Sequence, residues 1–291
     1  MRTIGWIGTG IMGCAMAGHI LKAGYPLFVF NRTKNKAQPL LDRGAVWCQS
    51  PREVAENAGV VFHIVGYPAD VREVILGQNG TLNGMQPDSE RKGIIVDMTT
   101  SSPELAVEIE AECRKRDVVS LDAPVTGGDV GAKNAALSIM LGGDKAAADE
   151  LMPVWNVLGK TVVYHGPAGS GQHAKMVNQT LLAGNMLGLC EALVYAHGAG
   201  LDLEKVLQSI STGAAGSWAL SNMAPRILRG DYAPGFIIEH FVKDLRIVLA
   251  EAKRMNLQLR AAELAEQLYA AAEAQGYAKS GSQALYKVLE R

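Results

Sequence analysis

The sequence predicts an α/β protein in two parts: a doubly wound, mostly parallel sheet over residues 1–164, then an all-helical domain over residues 165–291. Three observations predict it. A glycine-rich loop, Gly8-Thr-Gly10-Ile-Met-Gly13, sits between a strand-like run and a helical one. Short apolar segments then alternate with helical ones as far as Tyr164. Beyond Tyr164 that alternation stops and helical spacing takes over. At 291 residues, 48% of them hydrophobic, the chain can bury two cores.

Thr3 to Ile7 reads as the first buried strand, and the helix after the loop runs to Ala23, with a stop at Gly24. A GxGxxG between strand and helix points to a dinucleotide site in a Rossmann-type sheet. Gly8 makes the turn, Gly10 lets a pyrophosphate reach the backbone, and Gly13 lets helix and strand pack. Ile11 and Met12 lie at the helix N-terminus, where free N–H groups face the phosphates. The second strand, Leu27 to Phe30, ends at Asn31-Arg32-Thr33. An acid that would hold a ribose 2′-hydroxyl is absent there. A guanidinium beside a hydroxyl suits a 2′-phosphate, so the reading is NADP, with NAD possible. The other reading of Arg32 is a side chain capping a solvated strand end.

Val60–Val65, Ile94–Asp97, Val119–Asp122, Ser138–Leu141 and Thr161–Tyr164 are the further strands. Helices fit Pro51–Ala58, Ala69–Leu76 and Pro103–Arg116 between them. Ligands of such sheets sit beyond the carboxyl ends of the strands. Val65-Gly66, Asp97-Met-Thr-Thr100 and Asp122-Ala-Pro-Val-Thr126-Gly127-Gly128 fall at those ends. Thr126, Gly127 and Gly128 offer a hydroxyl and consecutive N–H groups, a small nest for a carboxylate. Taken alone, the segment reads equally as a turn.

His165 to Gly171 is a glycine-rich connection to a long helix, Gln172 to about Ala196. That helix carries two full charges, Lys175 and Glu191, and is apolar nearly all round, which predicts burial. Gly184, Gly188, Ala192 and Ala196 recur every fourth residue and admit a close backbone. Lys175, Asn178, Leu182 and Asn185 share another face. Buried polar groups need partners. Either this face bonds to neighbouring backbone, or it lines a site. Later helices fit Leu203–Thr212, Ser217–Leu228, Phe236–Met255 and Ala261–Gln275, with one short helix after Gly276. Trp218, in Gly213-Ala-Ala-Gly-Ser-Trp218, reads either as closing the site or as core.

A formal net charge of -1 gives no footprint for nucleic acid or an anionic membrane. The N-terminus reads as a strand rather than a signal peptide. Asn178, Gln179, Asn185 and Glu191 exclude a membrane span over the long helix. Cys14, Cys48, Cys113 and Cys190 have no CxxC spacing, which fits reduced thiols in a cytoplasm. The six histidines form no HExxH, so no metal is expected.

Several segments together resemble the β-hydroxyacid dehydrogenase family, which includes 3-hydroxyisobutyrate dehydrogenase and tartronate semialdehyde reductase. Gly8-x-Gly10-x-Met12-Gly13 is similar to its cofactor loop, and Asp122-Ala-Pro-Val-Thr-Gly-Gly128 to its substrate loop. Gly169-x-Gly171-x-x-x-Lys175-x-x-Asn178 resembles its catalytic signature, and Lys243-Asp244-Leu245 its distal element, whose lysine approaches the cofactor. Thr100 falls where the family places a threonine near the nicotinamide. Departures are Val65-Gly66 where the family often has Leu-Pro, and Thr126 where it usually has Ser.

The resemblance implies a 6-phosphogluconate dehydrogenase-like fold, and hydride transfer between NADP(H) and a small carboxylate-bearing hydroxyacid or semialdehyde. Lys175 would be the general acid and base, aided by Asn178. Thr126, Gly127 and Gly128 would hold the carboxylate. Gly8, Gly10, Ile11, Met12, Gly13, Asn31, Arg32, Thr33, Val65, Thr100 and Lys243 would line the cofactor. The rivals are an imine reductase, a non-catalytic nucleotide-binding relative and 6-phosphogluconate dehydrogenase; Lys175 weighs against the first two, and the third has a much longer helical domain. The small-residue face of the long helix predicts a homodimer or homotetramer.

Overall fold

The computed structural model describes residues 2–86 and 92–290. It divides into two compact units, Met1–Lys175 and Met176–Arg291. The sequence places the boundary at 164/165. The structural division falls inside the long helix, whose first turn is tied to the sheet by bonds described below.

The first unit is a nine-stranded sheet: β1 (Ile4–Ile7), β2 (Leu27–Phe30), β3 (Val46–Trp47), β4 (Val60–His63), β5 (Ile94–Asp97), β6 (Val119–Asp122), β7 (Val125–Thr126), β8 (Leu137–Gly143) and β9 (Gly159–Gly166). Its order is β3-β2-β1-β4-β5-β6-β8-β7, with β9 also pairing β8. The strands from β3 to β6 pair in parallel; β8 runs antiparallel to β6 and β7, and parallel to β9. β1, β4 and β5 are buried throughout, as continuous apolar runs covered on both faces must be. The helices are α1 (Ile11–Lys22), α2 (Gln38–Leu41), α3 (Pro51–Asn57), α4 (Pro68–Leu76), α5 (Thr81–Gly84), α6 (Pro103–Arg114), α7 (Gly128–Lys133), α8 (Lys145–Glu150) and α9 (Met152–Leu158). Ser50, Ser102 and Asp144 start α3, α6 and α8 by accepting first-turn N–H groups. Trp6 stacks on Phe62 at 5.5 Å between ring centres, and Trp155 meets Phe62 edge-on at 5.5 Å.

β3 and β7 lie outside the sequence reading, because two residues carry no alternation to detect. The strand order reverses between β1 and β4, so the loop Gly8–Gly13 lies at the carboxyl ends of the strands where the order switches.

α10 (Ser170–Gly198) leads out of the first unit and into the second. It ends where Gly200, at φ 68°, turns back and Leu201 N–H bonds to Ala196 O. The rest of the second unit is α11 (Leu203–Ile210), α12 (Trp218–Leu228), α13 (Ile238–Arg254), α14 (Arg260–Ala272) and α15 (Tyr286–Leu289). Among its described residues there is no strand, only a single bridge between Ile237 and Gly281. Its core gathers Ala183, Met186 and Leu193 of α10 around Phe241 and Tyr269, whose rings meet at 4.8 Å.

Two sequence readings of this unit need correction. α10 is not buried all round: Val177, Leu181 and Tyr195 are 71%, 65% and 77% exposed. A single chain covers only the opposite side of that helix. Trp218 is not core, being 60% exposed at the start of α12.

Candidate active site

The loop after β1 is held open by its own neighbours. Buried Trp6 donates its indole N–H to Gly8 O at 2.9 Å. A Cβ on Gly13 would stand 2.0 Å from Gly8 O, so only glycine lets α1 start this close to β1. Gly10 is different, since a Cβ there would meet nothing within 4 Å. No side chain caps α1, which leaves the first N–H groups, from Ile11 to Gly13, for another acceptor. Ile11 is exposed and Met12 half-buried. An open glycine over an uncapped helix N-terminus fits a dinucleotide pyrophosphate.

Asn31, after β2, is half-buried. Its Oδ1 accepts Thr9 N–H at 2.9 Å and its Nδ2 donates to Thr33 O at 2.9 Å, so it fixes the glycine loop to the strand end. Arg32 is free to swing, with a 91% exposed side chain 3.8 Å from Asp70 Oδ1. At that exposure the ion pair contributes little. Asp70, which also accepts Tyr67 N–H, is a neighbour the sequence reading missed.

The carboxyl ends of β4, β5 and β6 are bonded to one another. Val65 N–H donates to Thr99 Oγ1 at 3.0 Å, and Thr99 N–H to Asp97 Oδ1 at 2.9 Å. Thr99 is therefore turned inward, while Thr100 stands half-buried beside it. After β7, Gly127 and Gly128 have φ of 128° and 64°, which turns successive N–H groups the same way at the start of α7. Thr126 is half-buried next to them. His19 of α1 ties this segment to the helix after the glycine loop, with Nε2 3.0 Å from the carbonyls of Ala132 and Lys133.

Asp122 ends β6 and is 3% exposed. Its carboxylate accepts Gly169 N–H and Gln172 N–H, each at 2.8 Å, and so holds the first turn of α10. Burial pushes its carboxyl above the usual range, while these N–H groups pull it back. A Cβ on Gly171 would lie 2.4 Å from Met140 O and 2.7 Å from Asp122 O, so the helix starts pressed against the sheet. Gln172, fully buried, accepts Ser101 N–H at 2.9 Å and donates to Thr99 O at 2.7 Å. Lys175 follows on the same side of the helix and is 6% exposed.

Asn178 and Lys243 lie in the second unit and are joined through two residues the sequence reading does not place at the site. Asn178 Nδ2 donates to Gln179 Oε1 at 2.7 Å, and Gln179 Nε2 to Asp244 Oδ2 at 2.6 Å. Lys243 Nζ sits 2.8 Å from Asp244 Oδ1. The legible signal was Gln179 itself, a second carboxamide next to Asn178 on an apolar helix. No helix among the described residues is long and apolar enough to cross a membrane.

Known families match both halves. The NAD-binding domain of 6-phosphogluconate dehydrogenase matches residues 3–166. The NAD-binding region of NADP-dependent 3-hydroxyisobutyrate dehydrogenase matches residues 169–289. A probable 3-hydroxyisobutyrate dehydrogenase-like protein of Arabidopsis thaliana is 52% identical over 99% of this chain and 85% of its own. The 2-hydroxy-3-oxopropionate reductase of Escherichia coli is 35% identical over 99% and 97%. A crystal structure of 3-hydroxyisobutyrate dehydrogenase from Salmonella typhimurium superposes with a TM-score of 0.88, at 29% identity, covering 99% of this chain and 100% of that one. Fold, cofactor loop and relatives together define an NAD(P)-dependent dehydrogenase acting on a CH–OH/C=O pair. The chain belongs to the β-hydroxyacid dehydrogenase family.

Proposed function

We propose that the protein moves a hydride between NADP(H) and a small β-hydroxyacid or its semialdehyde, with 3-hydroxyisobutyrate as the type of substrate and Lys175 as general acid and base. The observation that carries this is a lysine 6% exposed on a helix whose first turn is bonded to the carboxyl end of the sheet. In this reading residues 1–164 bind the dinucleotide, and residues 165–291 carry substrate and subunit contacts. The loop from Gly8 to Gly13 receives the pyrophosphate. When bound, the nicotinamide supplies or accepts the hydride. The Thr126 hydroxyl and the N–H groups of Gly127 and Gly128 hold the substrate carboxylate, which decides which carbon faces the hydride. Lys175 as ammonium gives its proton to the carbonyl oxygen; in the reverse direction, as amine, it takes the proton from the alcohol. Asn178, one turn along α10, orients the reacting oxygen. The test is NADPH oxidation with methylmalonate, tartronate and succinic semialdehydes, glyoxylate and cyclic imines. Turnover of a semialdehyde and none of an imine is the expected pattern; the opposite pattern overturns the reading.

NADP preference rests on Arg32, exposed at the end of β2 with only a weak ion pair to leave. Arg32→Ala should weaken NADPH binding by about 1.5–3 kcal/mol, the range of a charged hydrogen bond, and leave NADH nearly unchanged. Equal losses for both cofactors, measured by titration, would show that Arg32 reads no phosphate.

We also propose a cytoplasmic homo-oligomer, dimer or tetramer. Val177, Leu181 and Tyr195 lie exposed along one side of α10, and Gly184 and Gly188 between them are open. Such an apolar strip is costly to leave in water. Sedimentation at micromolar concentration should give a species larger than 31.0 kDa, and a lone 31.0 kDa boundary overturns the proposal.

A further inference from the structure

We propose that Gln172 is a positioning residue for Lys175, setting the rotation of α10 about its own axis. This rests on the reading of Lys175 as proton donor, and the test separates the two.

Two anchors hold the start of α10, and they act in different directions. Asp122 accepts the N–H groups of Gly169 and Gln172, each at 2.8 Å. The Gln172 N–H belongs to the first turn and points along the helix axis, and the Gly169 N–H lies just before it, so Asp122 fixes where the helix begins. The Gln172 side chain projects sideways and is fully buried. Both ends of its carboxamide are used: Nε2 on Thr99 O at 2.7 Å, and Oε1 on Ser101 N–H at 2.9 Å. A sideways clamp of this kind resists rotation.

What it clamps is the loop after β5. Thr99 and Ser101 flank Thr100, so Gln172 grips the backbone on both sides of that residue. The same loop is held from beneath, by Val65 N–H on Thr99 Oγ1 and Thr99 N–H on Asp97 Oδ1. A buried line of bonds thus runs from the end of β4 to the first turn of α10. Lys175 lies three residues beyond Gln172 on the same side of the helix. With a side-chain radius of about 5–6 Å, a helix rotation of about 20° would move its tip by about 2 Å. Displacements of about 1 Å at a reacting group cost on the order of 10²-fold in rate.

A merely structural Gln172 would be buried in the same way, satisfying two backbone groups and nothing more. The two roles differ in what a variant loses. Gln172→Met keeps length and bulk and removes both side-chain bonds. Gln172→Met, Lys175→Met and the double variant are compared as full-length enzyme, by thermal midpoint, NADPH affinity, KM and kcat. If Gln172 positions the lysine, folded Gln172→Met loses about 10–10²-fold in kcat. NADPH affinity changes little, and in the Lys175→Met background the same substitution costs nothing further. A folded Gln172→Met with wild-type kcat beside a collapsed Lys175→Met overturns the positioning role alone. Equal losses in both backgrounds overturn it too, since the effect then bypasses the lysine. Near-normal turnover in Lys175→Met overturns the proton-donor reading, and this proposal with it. Should Gln172→Met fail to fold, Gln172→Glu keeps the acceptor for Ser101 N–H and loses the donor to Thr99 O, and is read by the same comparisons.

Discussion

Lys175→Met should give a folded protein that binds NADPH normally and turns over at least about 10²–10⁴ times more slowly, the usual share of general acid catalysis. The loss is larger if the ammonium also stabilises developing negative charge on the substrate oxygen. Methionine is the sharper replacement, because it keeps length and bulk while removing charge and proton. The fold should survive. The first turn of α10 is held by Asp122 and Gln172, and both side chains remain in the variant. The cofactor loop is built by Trp6, Gly8, Gly13 and Asn31, all distant in sequence from Lys175. A buried lysine that served only packing and charge balance would behave in the opposite way. Its loss would lower the thermal midpoint, and the folded fraction would keep its turnover. Thermal melting, NADPH titration and kcat on the best substrate distinguish the cases. A folded, cofactor-saturated variant with near-normal turnover would falsify the proton-donor role.

Much of the fold was legible because long, regular segments advertise their period. β2, β5 and β6 lie where continuous apolar runs place them, and α1, α4 and α13 sit within two residues of the expected bounds. What escaped has physical causes. β3 and β7 are two-residue pairings that exist only because a neighbouring strand is present. α8 and α9 lie between strands in a stretch where no helix was marked. α10 was read as buried all round because composition does not say which side a single chain covers. At the site, Lys175 and Asn178 were legible as candidates, because polar groups on an apolar helix stand out. The residues that hold them were not. Gln172 looks like a helix start, Asp122 like the first letter of a loop motif, Gln179 like a polar break in an apolar helix, and Asp244 like the middle of a Lys-Asp-Leu element. Their roles come from bonds spanning 47 to 73 residues of sequence, which no local pattern records. Asn31, expected at the cofactor, has bonds of the same kind: its side chain is engaged with Thr9 and Thr33.

The glycines of the cofactor loop should separate folding from binding. Gly10→Val is expected to fold like the wild type and to lose NADPH affinity by about 5- to 10²-fold. Gly10 has φ −68° and ψ −169°, a conformation open to any L-residue. A Cβ there meets nothing within 4 Å, so the free protein has room for the side chain. A pyrophosphate crossing that glycine to reach the N-terminus of α1 does not. Forcing extra carbons into a filled contact costs about 1–3 kcal/mol, sometimes more, and each 1.4 kcal/mol is about tenfold in affinity. Gly13→Ala is the counterpart. Its Cβ would stand 2.0 Å from Gly8 O and 2.8 Å from a methyl carbon of Ile64, so α1 must move off β1. That variant should lose thermal stability even without cofactor, and bind poorly because its loop is displaced. The two are compared by apo-protein melting and by fluorescence titration with NADPH. A Gly10→Val protein that binds within about threefold of wild type would show that the phosphates do not approach over Gly10. The uncapped end of α1 would then be an ordinary solvated terminus.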